Sequence, residues 1–175
     1  MKSRTRSIVL AINAALAAVA LSGCAAAHPS DHEALQAATN VYRLQLATEA
    51  VLAETGAWMD APFAETASDA YISQLHAQFD VMAAKGLSVT GPAKWVKSKL
   101  LEFSERDATS TVVMLVCLDR TGQITHDTKN GISITGGGKQ ARETQRVTVS
   151  GSTLKRLKVA QVTPVPPADS ICGAR

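Results

Sequence analysis

The chain changes character at Gly86, and that switch decides most of what it can become. From Ser30 to Lys85 it is rich in Ala, Leu, Gln and Glu, with apolar residues recurring at helical spacing. Beyond Gly86 come runs of Val, Thr, Ile and Leu, punctuated by Arg120-Thr121-Gly122 and Asn130-Gly131. Helices followed by strands predict an α+β domain with the helices gathered on one side of an antiparallel sheet.

In the helical half, Ser30-Asp31-His32-Glu33 has the spacing of a capping box, so a helix is expected from there to about Thr55, with Gly56 as its stop. Leu35, Ala38, Tyr42 and Leu46, joined by Val41, Leu44, Val51 and Leu52, give it a broad apolar face. Residues 57–66 carry Trp58, Met59, Pro62 and Phe63 without a period and read as an ordered connection. A second helix over 68–85 follows from Ile72, Leu75, Phe79 and Met82, with Gly86 ending it.

In the strand half, runs are expected over 93–105, 110–120, 123–127, 140–150 and 153–163. The 110–120 run is apolar on both faces, which marks a central strand with helix against one side. Gln140, Arg142, Thr144, Arg146 and Thr148 share one face of the next long run and predict a solvated surface. Val165-Pro166-Pro167 forces an extended tail that ends at Cys172.

The first 23 residues stand apart. Lys2, Arg4 and Arg6 precede the uncharged run Ile8–Ala20, which is shorter than the roughly 20 residues a spanning helix needs. Leu21-Ser22-Gly23-Cys24 closes that run and resembles the lipobox of bacterial lipoproteins. The resemblance implies that residues 1–23 are a signal peptide cut before Cys24. Cys24 then becomes the acylated first residue of the mature protein, and residues 24–29 are a short tether. Six such residues reach only about 20 Å, so the body would sit against the extracytoplasmic face of the cell membrane. Two or more acyl chains hold a protein there stably.

Removing that segment takes three of the 18 basic residues and none of the 15 acidic ones, so the mature chain balances 15 against 15. A neutral body lacks the field that draws nucleic acid, and that partner class is excluded. With Cys24 acylated, Cys117 and Cys172 remain. An even pair in an exported chain predicts one disulfide, with two free thiols as the alternative, and the absence of Cys-x-x-Cys argues against a redox dithiol.

Two helices followed by an antiparallel meander look like the cone-shaped fold of the nuclear-transport-factor-2-like (SnoaL-like) superfamily. More narrowly, the chain resembles secreted actinobacterial lipoproteins with such a domain. The residues that carry the likeness are the lipobox, the helix end at Gly86, Val116-Cys117-Leu118-Asp119 with Gly122 after it, Arg146-Val147-Thr148-Val149, and the late Cys172. The resemblance implies a single domain over 30–175, with helices packed on a bent sheet, and assigns no catalytic residue.

Each chemistry-bearing group has a plain reading as well. Asp119 ends the central strand before a turn, either as a turn carboxylate or as a general base inside the cone. His126 and Asp127 are strand neighbours and point to opposite faces. His76 and Asp80, at i and i+4, read as a solvated pair; His28 and His32 flank a proline and are poorly placed for a metal. The Gly131–Lys139 stretch lacks P-loop spacing and reads as a flexible hairpin tip. The few aromatics fit core packing better than a ligand box. These readings predict a lipid-anchored binding or accessory envelope domain without cofactor or metal. Its partner would be an envelope protein or an apolar small molecule, and a phage-encoded block to superinfection is a variant. The alternative is a small SnoaL-like isomerase or hydrolase acting through an apolar cavity.

Overall fold

A computed structural model describes residues 28–55, 63–135 and 142–173. The lipobox-like residues, Trp58 and Met59, and the glycine run 136–139 lie outside them. The first helix, α1, spans Asp31–Thr55. Its capping box forms reciprocally: Ser30 N donates to Glu33 Oε2 at 2.7 Å and Glu33 N to Ser30 Oγ at 3.3 Å. The second, α2, spans Asp69–Lys85; the Ser68 hydroxyl accepts from Tyr71 N, and Gly86 closes the helix at φ 67°, the left-handed conformation that glycine adopts most readily.

Seven strands follow: β1 Leu87–Thr90, β2 Lys94–Arg106, β3 Thr109–Asp119, β4 Ile124–Asp127, β5 Ile132–Thr135, β6 Arg142–Gly151 and β7 Lys158–Pro164. The architecture is α+β, with two helices packed on antiparallel sheets. One bent sheet was expected. The strands instead form a four-stranded sheet in the order β2-β3-β6-β7 and a three-stranded one in the order β1-β4-β5. The Arg120–Gly122 turn carries the chain from the first to the second. Among the described residues no helix is long and apolar enough to cross a membrane.

The register of the large sheet sorts its residues cleanly. Val112, Met114, Val116 and Leu118 of β3 stand beside Val147 and Val149 of β6, and beside Trp95, Leu100 and Phe103 of β2. This face receives Tyr42 and Leu52 of α1, Leu75 of α2, and Phe63, which is fully buried at the start of the described connection. β3 is an inner strand with helix on one side, as its two-sided apolarity predicted.

Four further expectations are corrected. Leu44 and Val51 of α1 are exposed at 57% and 61%. Successive helical positions turn by about 100°, so the buried stripe is Ala34, Ala38, Tyr42, Gln45 and Leu52, and Leu44 lies off it. The expected strand over 153–163 begins as a single 3-10 turn at Leu154–Arg156. There the Arg156 carbonyl lies where a Cβ on Gly151 would be, a close approach that only glycine permits. Part of the expected hairpin tip is strand β5, paired with β4 through Asp127↔Ile132 and Ile124↔Thr135. Thr144, expected on a solvated face, is buried.

Thr144 is covered by the tail. Val165 N donates to the Thr144 carbonyl at 2.9 Å, Ile171 N to its Oγ1 at 3.1 Å, and the Ser170 hydroxyl lies 2.7 Å away. Cys117 pairs across the ladder with Thr144, and its sulfur lies 2.08 Å from that of Cys172, at bonding distance. The tail is thus strapped over the sheet face opposite the helices.

Candidate functional site

The singled-out residues do not converge. Asp119 lies on the outer face of the large sheet, because Leu118 takes the inward position and neighbours alternate. It accepts from the Thr121 hydroxyl, from Thr121 N at 2.9 Å and from Arg142 Nε at 3.2 Å. Those hydrogen bonds, the hydroxyl first, hold its pKa at about 2, and a carboxylate so stabilised is a weak base. Asp127 is held low by Lys129 N and the Asn130 side chain within its turn. His126 turns to the other face, between the Thr90 hydroxyl at 2.8 Å and the Ser133 hydroxyl at 3.1 Å. His76 and Asp80 stand 3.6 Å apart and well exposed on α2. His28 meets Glu105 at 3.4 Å rather than His32.

What the fold does assemble is two polar networks side by side on α1, one from Gln45 and Glu49 to Thr66 and Tyr71, the other from Tyr42 to the sheet. Gln45 and Glu49 lie three and seven residues beyond Tyr42, on the stripe that also buries Ala38 and Leu52. Gln45 is fully buried; it accepts from the Thr66 hydroxyl at 2.6 Å and donates to Glu49 Oε1 at 3.2 Å. Tyr71 of α2 donates to the same Glu49 oxygen at 3.1 Å. Tyr42 donates to Gln145 Oε1, and Gln145 Nε2 donates to Glu143 Oε1 at 2.7 Å. Arg120 Nε reaches that same carboxylate oxygen at 2.7 Å, while its Nη1 binds Gln123 Oε1 at 2.8 Å. Trp95 closes the flank, its ring 6.1 Å from that of Tyr42 and with the Arg43 guanidinium 4.8 Å from its centroid.

Electrostatics single out Glu49. Burial raises its pKa, and the hydrogen bonds from Gln45 and Tyr71 offset that only in part. Tyr42 and Tyr71 are raised as well, first by burial and then by the Glu49 charge, so both phenols stay protonated and act as donors. Chemically, the cluster presents one carboxyl able to take up a proton, two fixed phenols and a paired guanidinium. It is sized for a few hydrogen bonds, and the apolar space around it is filled by Tyr42, Leu52 and Phe63. Among the described residues no group of three His, Cys, Asp or Glu side chains is placed to hold a metal. The sequence carried a signal for this cluster: Gln45 and Glu49 interrupt an otherwise apolar stripe. A polar residue on a stripe of that kind must find a partner inside.

No family model matches the chain, and no curated relative matches it. Among solved structures, it is similar to the transfer protein TraH from the Gram-positive conjugative plasmid pIP501. That likeness has a TM-score of 0.39 and 9% identity, covering 82% of this chain and 99% of that one, and is too loose to carry an argument. The intermembrane-space region of the chloroplast protein ARC6 superposes better, with a TM-score of 0.51 and 10% identity over 74% of this chain and 95% of that one. At that identity the likeness speaks to the fold alone, two helices laid on antiparallel sheets.

Proposed function

We propose that this chain is an extracytoplasmic lipoprotein, anchored through Cys24, whose body of the nuclear-transport-factor-2-like kind serves as a non-enzymatic binding or accessory domain of the envelope. The observation that carries the reading is Leu21-Ser22-Gly23-Cys24 after a basic and then an apolar segment. Three features of the body support it. The centre of the helix–sheet interior is packed with buried side chains, among them Tyr42, Leu52, Phe63, Met114 and Leu118. Asp119, the candidate general base of the enzyme alternative, faces outward and is held ionised. Cys117 and Cys172 lie at bonding distance, the pairing expected where disulfides persist. A partner on the envelope, protein or apolar small molecule, is the ligand class this leaves, and a phage-borne block to superinfection belongs to the same reading.

The test is mass spectrometry of the protein from its producing cells, beside a Cys24→Ser variant. The expected result is a mature chain that begins at Cys24 and carries acyl groups, with the variant unprocessed. A mature chain that starts elsewhere, or an unmodified Cys24, refutes the anchor.

A further inference from the structure

The balance of charge in the mature chain conceals a separation. Residues 31–85 hold eight carboxylates against Arg43 and Lys85 alone, whereas residues 86–175 hold seven carboxylates against thirteen basic residues. Among the described residues the fold turns much of this into two layers: α1 and α2 carry Asp31, Glu33, Glu49, Glu54, Asp69 and Asp80, while Lys94, Lys97, Lys99, Arg106, Arg142, Arg146 and Lys158 lie on strands of the large sheet.

The register locates much of the positive charge. Residues paired with the outward positions of β3 face away from the helices: Lys97 opposite Cys117, Lys99 and Arg146 on either side of Leu115, and Arg106 opposite Thr109. All four basic side chains are exposed, and among the described residues none is ion-paired with a carboxylate. On the same face Glu102 is the opposing charge, Asp119 is already matched by Arg142, and Asp169 enters with the tail. In the midst of these charges lies a cleft of about 530 Å³ with Leu101, Leu115, Arg146 and Pro164–Pro166 in its walls. Leu101 is the extra residue of a bulge on the edge strand β2, and 40% of it is exposed.

The chain before α1 reaches the β2–β3 end of the same sheet from its helix side, at Glu105, the ladder partner of the buried Ser110. His28 lies 3.4 Å from Glu105, next to Arg106 at the end of β2. Cys24 is four residues earlier, a reach of at most about 14 Å.

We propose that the outer face of the four-stranded sheet rests on an anionic phospholipid surface, with Lys97, Lys99, Arg106 and Arg146 against the headgroup phosphates and Leu101 toward the acyl boundary. Proximity to the bilayer rests on the anchored reading above; which face turns toward it rests on the charge distribution. Basic side chains near such a surface are each drawn to it, while the carboxylates of the helix layer are repelled. The two effects act in one direction and orient the body with α1 and α2 outward.

The experiment is amine footprinting of the acylated mature protein in lipid discs, of phosphatidylcholine alone and with phosphatidylglycerol added. Acetylation at Lys97 and Lys99 should fall about fivefold in the anionic discs, with Lys85 at the end of α2 and Lys129 in the β4–β5 turn unchanged as internal references. High salt should restore labelling, and Arg146→Glu should weaken the protection of both lysines. Equal labelling in the two kinds of disc overturns the surface while leaving the anchor standing. Protection seen only in intact cells assigns the face to an acidic protein and equally overturns the bilayer. Should the protein prove unacylated, the anchor fails by itself. The same footprint on protein mixed with anionic vesicles at low salt then judges the face, protection supporting it and its absence refuting it.

Discussion

Reducing the Cys117–Cys172 bond tests how much of the fold depends on its tail. The two residues lie 55 positions apart, and cross-linking a loop of that length lowers the entropy of the unfolded chain enough to stabilise the fold by about 4 kcal/mol. For a body of this size 1 kcal/mol moves the melting temperature by about 2–4 °C, so reduction should lower Tm by about 8–16 °C. The reduced protein keeps both sulfurs and their volume, so no cavity adds to the loss. What it gives up is the constraint that holds Ser170, Ile171 and Cys172 over Thr144. Urea unfolding of oxidised and reduced protein at matched pH measures the difference, and limited proteolysis of the reduced form should cut first beyond Pro164. A loss under about 1 kcal/mol, with the tail still protected, would mean that the hydrogen bonds to Thr144 hold the strap unaided and that the loop-entropy reasoning fails here.

Other substitutions address particular features. The β2–β3 hairpin turns on Asp107 and Ala108 at φ 50° and 58°; replacing Ala108 with Gly relieves a left-handed residue at the expense of chain entropy and should raise stability by up to about 1 kcal/mol in urea unfolding. Phe63→Ala, at a fully buried site, should cost about 3–5 kcal/mol by the same measurement. Because the folded state raises the Glu49 pKa, its stabilising contribution is greatest below the unfolded value near 4.5 and is lost as pH rises through the folded one. Glu49→Gln keeps an acceptor for Tyr71 and Gln45, so its stability should exceed the wild type at neutral pH and converge with it in acid; a wild type that gains on the variant as pH rises contradicts the sign. Asp119 shows the opposite linkage, with stability present above its unfolded value near 3.8 and lost as pH falls through about 2, so Asp119→Asn should flatten the acid limb of the pH–stability curve.

Much of the architecture was legible in sequence because its signals are local. Ser30 and Glu33 cap, Gly86 stops, and the 110–120 run is apolar on both faces, each needing only its neighbours to be read. Strands β1 and β5 escaped notice because each is four residues long and gains its ladder only from β4. The burial of Thr144 depends on a tail 26–28 residues away. The polar cluster was half legible. Gln45 and Glu49 sit at core spacing on α1, but their partners Thr66 and Tyr71 lie across a connection, and Tyr42 meets Gln145 at a separation of 103 residues. The Asp-Ala hairpin lacks the glycine by which such a turn is usually recognised.

The two margins of the large sheet are treated differently. At β7, Val159 N donates to the Thr66 carbonyl at 2.7 Å and its own carbonyl receives Ser68 N at 2.9 Å, so the link into α2 covers the start of that border. At β2, the bulges at Val96 and Leu101 break the even spacing of the free amides, and Lys94, Lys97 and Lys99 repel a like strand. Proteins confined to a plane collide far more often than in solution, and an unguarded border would let copies zip into ribbons. On the anchored reading proposed above, the bulged, lysine-lined border of β2 is the feature that keeps neighbouring copies from pairing there.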